Sequence, residues 1–297
     1  MTDVLPPPVV DPTGLSEIAD GVWLIPDRRV PLVPNVGIVL GDDAALVVDT
    51  GMGAANGLRV LEAARAQAGS RRLVLTLTHF HPEHGFGAQA FAGKARILVN
   101  EAQAEELRAK GEAYVAMFRT FGPAVEEALE GVRLVQPDET YEGSTTVDLG
   151  GRSVQLREHG VAHTRGDQVA TVVDAGVLFT GDLVEERCFP IFPYFPPDDA
   201  DVDGSAWIEV LRRLEAEEPR IVVPGHGATG GASVIGTQRE FMETMRAESF
   251  AAAEAGRSAD DAVADLEEKL VALHPDWVQP EWVAFGIRCF HAEHAAA

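Results

Sequence analysis

The sequence predicts a mixed fold of the α/β (α+β) class, with sheets in the middle and helices outside. Two observations carry this. The chain falls into two halves, each a set of short β-rich runs followed by helical periodicity, and elements in that order layer as sheets covered by helices. The length of 297 residues suits one large domain, or one domain with an appended helical segment. No repeat of solenoid period is present.

The elements follow in order. "GVWLIP" (21–26), "VGIVLG" (36–41) and "ALVVDTG" (45–51) read as short strands, rich in β-branched residues and bounded by Gly, Pro and Asp. "AANGLRVLEAARAQAG" (54–69) has helical apolar spacing and ends in Gly. "RLVLTLT" (72–78) and "ARILVN" (95–100) are strands, and "EAQAEELRAKGEAYVAMFRTF" (101–121) is a helix with an expected break near Gly111. "TTVDL", "SVQLREHG" and "QVATVVDAGVLFTGD" form a β-rich stretch. A Pro-rich loop follows over 188–204, then the helix "SAWIEVLRRLEAEEP" and the strand "RIVVPGHG" (220–227). From Ser233 onward only helices are expected, two or three of them around Pro275 and Pro280.

Acidic residues outnumber basic ones 47 to 24, for a formal charge of −23. That balance disfavours nucleic acid and anionic membrane surfaces as partners. No apolar run reaches the roughly 18 residues of a membrane span, and "MTDVLPPPVVDPTG" has neither the basic nor the apolar region of a secretory signal. A cytoplasmic location is the expectation. The two cysteines, Cys188 and Cys289, cannot make a disulfide framework and are expected as reduced, buried thiols.

The densest chemistry lies in "LTLTHFHPEHGFGAQAF" (75–91). In an extended segment residues i and i+2 point to one side, so His79 and His81 can grip one ion together. Glu83 and His84 follow Pro82, where a helical turn would bring a carboxylate and a third imidazole to a neighbouring point. Imidazole and carboxylate suit zinc, and equally iron or manganese. A solvated His-rich loop is the plainer reading. Four potential ligands in six positions at a strand end favour the metal. Three further donors stand at strand ends: His163 in "GVAHTRGDQ", Asp182 in "VLFTGDLV" and His226 in "IVVPGHG". Singly they read as a loop histidine, a capping aspartate and a turn histidine.

Taken together, "DTG" (49–51), "THFHPEH" (78–84), "GVAHTRGD" (160–167), "FTGD" (179–182) and "PGHG" (224–227) resemble the metallo-β-lactamase superfamily over roughly residues 22–227. The resemblance implies a four-layer αββα sandwich over residues 1–230, with residues 231–297 as a helical extension packed on the same domain. It implies that His79, His81 and His163 hold a first metal, and that His84 and His226, with the acid at 83, hold a second. Asp182 would bridge both, and Asp49 would steady the histidine loop. Two divalent ions are implied, zinc first and iron or manganese also compatible. The implied reaction is hydrolysis by a metal-activated water of an ester, lactone, thioester or amide-type bond, with Glu83 and Asp182 as the acid groups of catalysis.

Glu83 departs from the family pattern, which has Asp there. One extra methylene moves the carboxylate by about 1.5 Å. Direct ligation with a shifted backbone, ligation through a water and a weak second site all stay open, with direct ligation ranked first. The last would favour a rival reading, a mononuclear iron dioxygenase acting on a thiol or persulfide. The partner in either case is a small molecule. The terminal helices would shape the pocket or a homodimer contact.

Other residues invite a role. Phe189, Phe192, Tyr194 and Phe195, in the loop after Asp182, would either wall an apolar substrate pocket or cover the sheet edge as core. His159 lies four positions before His163 and is expected near the site without ligating. His291 and His294 read as a helix-surface pair, and His274, before Pro275, as a helix-end residue.

Overall fold

The structure is a computed structural model that describes residues 5–296. Strands β1 (Ser16–Ala19), β2 (Val22–Ile25), β3 (Val36–Leu40), β4 (Ala44–Val48), β5 (Arg72–Thr76), β6 (Arg96–Asn100) and β7 (Glu139–Tyr141) form one sheet in that spatial order. The pairs from β1 to β4 are antiparallel, and those from β4 to β7 parallel. Parallel neighbours need crossovers. Helix α1 (Gly53–Ala68) carries the chain from β4 to β5. The single turn α2 (Pro82–Gly85) leads from β5 towards β6, and α3 (Glu101–Arg119) and α4 (Pro123–Ala128) carry it from β6 to β7.

The second sheet contains β8 (Ser144–Asp148), β9 (Ser153–Gly160), β10 (Asp167–Val172), β11 (Val177–Glu185) and β12 (Ile221–His226), in the order β12-β11-β10-β9-β8. Only β11 and β12 are parallel, joined through α5 (Gly204–Ala216). The chain ends in α6 (Ser233–Glu254), α7 (Ala259–Val271) and α8 (Trp282–Ala296). None of the helices among the described residues is long and apolar enough to cross a membrane.

Period-2 alternation sorts the side chains into layers. Strand β4 is buried throughout. Its Ala45 and Val47 pack with Val60 and Ala64 of α1. Its Ala44, Leu46 and Val48 pack with Val154, Leu156 and Phe179 of the opposite sheet. Beyond that sheet, Leu178, Val184 and Val222 pack with Trp207 and Leu211 of α5, Phe241 and Met245 of α6, Leu266 of α7, and Ile287 and Phe290 of α8. The order is helix, sheet, sheet, helix, and α6, α7 and α8 contribute to this outer core.

Three differences from the sequence reading have local causes. Strands read as 45–51 and 72–78 stop at Val48 and Thr76. Asp49 takes a left-handed backbone, φ 66°, which turns the chain out of the strand. Helix α3 runs unbroken through Gly111. A Cβ there would meet Leu134 at 2.6 Å, so the glycine admits a packed neighbour rather than breaking the helix. The short elements β1, β7 and α4 escaped the sequence reading. The two strands are largely exposed or half-buried and lack apolar alternation.

Phe290 is fully buried and touches Phe192 at a ring separation of 5.5 Å. Phe290→Ala is expected to destabilise the fold by about 3–5 kcal/mol. Denaturant unfolding would read this as a lower midpoint with little change in slope.

Candidate metal centre

The carboxyl ends of β5, β9, β11 and β12 gather the chemical groups. His79 lies on a bend after β5, and His81 is the N-cap of the turn that follows. Pro82 opens the single turn α2, whose missing N–H costs nothing at a helix start, and that turn carries Glu83 and His84. His163 lies on the turn between β9 and β10, Asp182 within β11 and His226 at the end of β12. All seven are buried, and His226, at 8% exposure, is the most open.

Two groups of donors form. His79 Nε2 and His163 Nε2 each lie 3.1 Å from His81 Nδ1. Tetrahedral zinc with Zn–N near 2.0–2.1 Å would set such nitrogens about 3.3–3.4 Å apart, so these three rings fit one ion with little movement. Glu83, His84, Asp182 and His226 bring one donor atom each within 4.8 Å of one another. Asp182 faces both groups. Its Oδ1 is 3.1 Å from His84 Nε2 and 3.6 Å from His226 Nε2, and its Oδ2 is 3.8 Å from both His79 Nε2 and His163 Nε2. Glycine is required beside it, because a Cβ at Gly225 would fall 1.9 Å from Asp182 Oδ1.

Both Asp182 oxygens, Glu83 Oε2 and His84 Nε2 are buried without a hydrogen-bond partner. Proteins seldom leave buried polar atoms unpaired, and an unpaired buried carboxylate is costly. A cluster of four such atoms fits divalent cations.

The outer nitrogens are mostly tied. His84 Nδ1 meets Asp49 Oδ2 at 2.9 Å, His163 Nδ1 meets the Ile191 carbonyl at 2.8 Å and His226 Nδ1 the Val33 carbonyl at 2.9 Å. His79 Nδ1 lies 3.1 Å from Thr78 Oγ1. Such contacts fix tautomer and ring direction, leaving the inner nitrogen free for a metal. Asp49 also accepts from the Thr78 N–H at 2.7 Å and hydroxyl at 2.9 Å, which anchors the start of the histidine loop.

Burial, with the neighbouring imidazoles, pushes His79 and His81 well below the ordinary histidine range. Burial lowers His163 to about 4. Burial likewise raises Glu83. For His84 burial disfavours the cation, but Asp182 and Asp49 overcome it and lift its pKa well above normal. Asp182 is held well below the usual carboxylate range: burial opposes its ionisation, and His84 and His226 outweigh that.

The remaining residues sort plainly. Phe189 and Phe192 are fully buried among Phe241, Trp277, Trp207 and Phe290; they cover the sheet as core and have no face for a pocket. Phe195 packs on Trp282 and Phe285 of α8, and half-buried Tyr194 packs against the same core. His159 belongs to neither donor group. His291 meets the Arg257 carbonyl, His294 packs on Phe250, and His274 stacks on Trp277. Both cysteines are buried and unpaired. Sequence reasoning missed Asn35, whose amide donates to the Pro224 and Gly227 carbonyls at 2.9 and 2.8 Å and so braces the His226 turn; nothing in "VPNVG" marks it.

A family model described as the metallo-beta-lactamase superfamily matches residues 29–226. The chain belongs to the metallo-β-lactamase superfamily. It is 29% identical over 236 residues to the acyl-coenzyme A thioesterase MBLAC2 of Bos taurus, covering 73% of this chain and 82% of that protein. It is also 29% identical over 108 residues to the metallo-beta-lactamase type 2 of Bacteroides fragilis, 36% of this chain and 42% of that one. Among solved structures, the metallo-beta-lactamase from Pontibacter korlensis superposes at a TM-score of 0.61 with 20% identity, over 77% of this chain and 98% of that one. The sec-alkylsulfatase Pisa1 from Pseudomonas sp. superposes at 0.72 with 16% identity, over 95% of this chain and 50% of that one. These two likenesses concern the fold. Family, relatives and donor cluster together make this superfamily member a metal-dependent hydrolase that binds divalent metal.

Two measurements check this geometry. Asp49→Asn is expected to weaken metal affinity about 10–100-fold, read by chelator competition. His159 is held at about 3 by burial and by Arg157 and Arg213, against an ordinary 6.5. Between those values the unfolded chain binds the extra proton, so stability falls as pH drops through that window. His159→Gln is expected to flatten that acid limb in pH-dependent unfolding and to leave metal content unchanged.

Proposed function

We propose that this chain hydrolyses an acyl thioester, with related acyl esters as secondary substrates, at a binuclear centre. His79, His81 and His163 hold one divalent ion, and Glu83, His84 and His226 the other, with Asp182 shared and zinc the expected metal. The observation that carries this reading is Asp182, whose two unpaired buried oxygens each face a different donor group. The acyl thioester follows from the thioesterase relative, which spans most of both chains.

The bound ions supply Lewis acidity, which lowers the pKa of water and polarises the scissile carbonyl. The chain does the rest. Burial of every donor keeps bulk water out and strengthens each charge interaction. Asp49, Ile191 and Val33 aim the rings. Glu83 would hold the ion through one carboxylate oxygen and through the other take a proton from the attacking water and pass it to the departing thiolate. His226, as the most open ligand, marks the side from which substrate approaches, beside the loop 27–35. The proximity of the Glu83 carboxylate to His84, Asp182 and His226 supports direct ligation despite its extra methylene. The family match and the thioesterase relative favour the hydrolase over a mononuclear iron dioxygenase.

Metal-stripped protein should lose thioester hydrolysis and regain it with zinc, assayed on acyl-coenzyme A esters of several lengths beside lactones, β-lactams and alkyl sulfates. Glu83→Gln is expected to lower kcat about 10²–10⁴-fold, and Glu83→Asp much less. Turnover that survives chelation, or a panel in which only sulfates react, would overturn the proposal.

A further inference from the structure

His81 stands apart from the other four histidines of the centre. Its Nε2 is buried and has no hydrogen-bond partner, whereas the outer nitrogens of His79, His84, His163 and His226 all have one. Something else must hold this ring. Tyr114 of α3 lies parallel to it, with centroids 5.1 Å apart and planes at 20°. Phe80 packs edge-on to Tyr114.

Tyr114 is aimed in turn. Its hydroxyl donates to Asp199 Oδ2 at 2.7 Å, and burial with nearby carboxylates raises its pKa far enough to keep it a neutral donor. Asp199 belongs to the loop after β11. Lys110, one helical turn before Tyr114, reaches Asp199 Oδ1 at 2.9 Å, Asp201 Oδ2 at 2.8 Å and Glu106 Oε1 at 3.1 Å. Glu106, a further turn back and 1% exposed, accepts from the Gly166 N–H at 3.0 Å, just beyond His163. Residues 106, 110 and 114 recur every four positions and share one helix face. One face of α3 thus touches the His81 ring, the His163 turn and the loop over the site.

We propose that Tyr114 is a positioning residue for His81, replacing an absent outer hydrogen bond by ring stacking, and that Lys110 and Asp199 set its angle. This rests on His81 being a metal ligand, as proposed above. Stacking fixes the plane of the ring while leaving it free to turn within that plane. The Tyr114 hydroxyl bond to Asp199 then fixes the stacking partner. Without Lys110, three carboxylates would face one another with no cation between them, and the loop 188–203 would lose its ionic tie to α3.

The test is the zinc affinity of metal-free full-length protein by chelator competition, together with the melting temperature of the same metal-free samples. Tyr114→Leu is expected to weaken one ion about 10–100-fold and to leave the other near the wild-type value. Tyr114→Phe keeps the ring and is expected to lose less. Lys110→Met is expected to fall between them, and Lys110→Arg to recover most of the loss. Wild-type affinity for both ions in Tyr114→Leu, whatever its melting temperature, would overturn the proposal. So would an equal loss at both ions in Tyr114→Leu and Tyr114→Phe. Wild-type protein that binds no zinc would instead overturn the metal-site reading itself.

Discussion

Asp182 is the constraint on which the rest of this structure turns. A carboxylate with 1% exposure, faced by imidazole nitrogens but with neither oxygen in a well-aligned hydrogen bond, is costly to bury. The fold arranges itself around that cost. β11 delivers Asp182 to the sheet edge, and β12 runs parallel beside it with Gly225 where no side chain fits. The histidine loop after β5 comes across from the other sheet. Divalent cations bound there would offset this buried charge.

The ring nitrogens are handled by a division of labour. Backbone carbonyls orient His163 and His226, Asp49 orients His84, and a hydroxyl that itself leans on Asp49 orients His79. None of these partners lies close to another in sequence. Asp49 comes from the turn after β4, Val33 from the loop after β2, and Ile191 from the Pro-rich loop. The centre is therefore rigid only when the whole sandwich is formed, which gives preorganised donors without asking any single loop to be stiff.

How much of this could be read from the sequence depended on whether the signal was local. The strands β2 to β6 and β8 to β12 and the long helices carry strong periodicity or β-branched runs, and their limits emerge within a few residues. The seven donors sit at strand ends in short motifs, so they too are legible. Glu83 is the instructive case, because its reach depends on the backbone of α2, which the sequence leaves open. The aromatic loop was open between pocket wall and core from sequence alone, and Phe189 and Phe192 lie buried against α5, α6 and α8. Tyr114 and Asn35 were silent, since each acts on a segment distant in sequence.

The most direct test of the account is the number of metal ions bound per chain, counted by native mass spectrometry after equilibration with zinc and dialysis. The account predicts two ions in the wild-type chain, and one in a Glu83→Ala, His226→Ala double variant, because that change empties only one donor group. A single ion in the wild type, retained unchanged in the double variant, would contradict the shared-carboxylate centre.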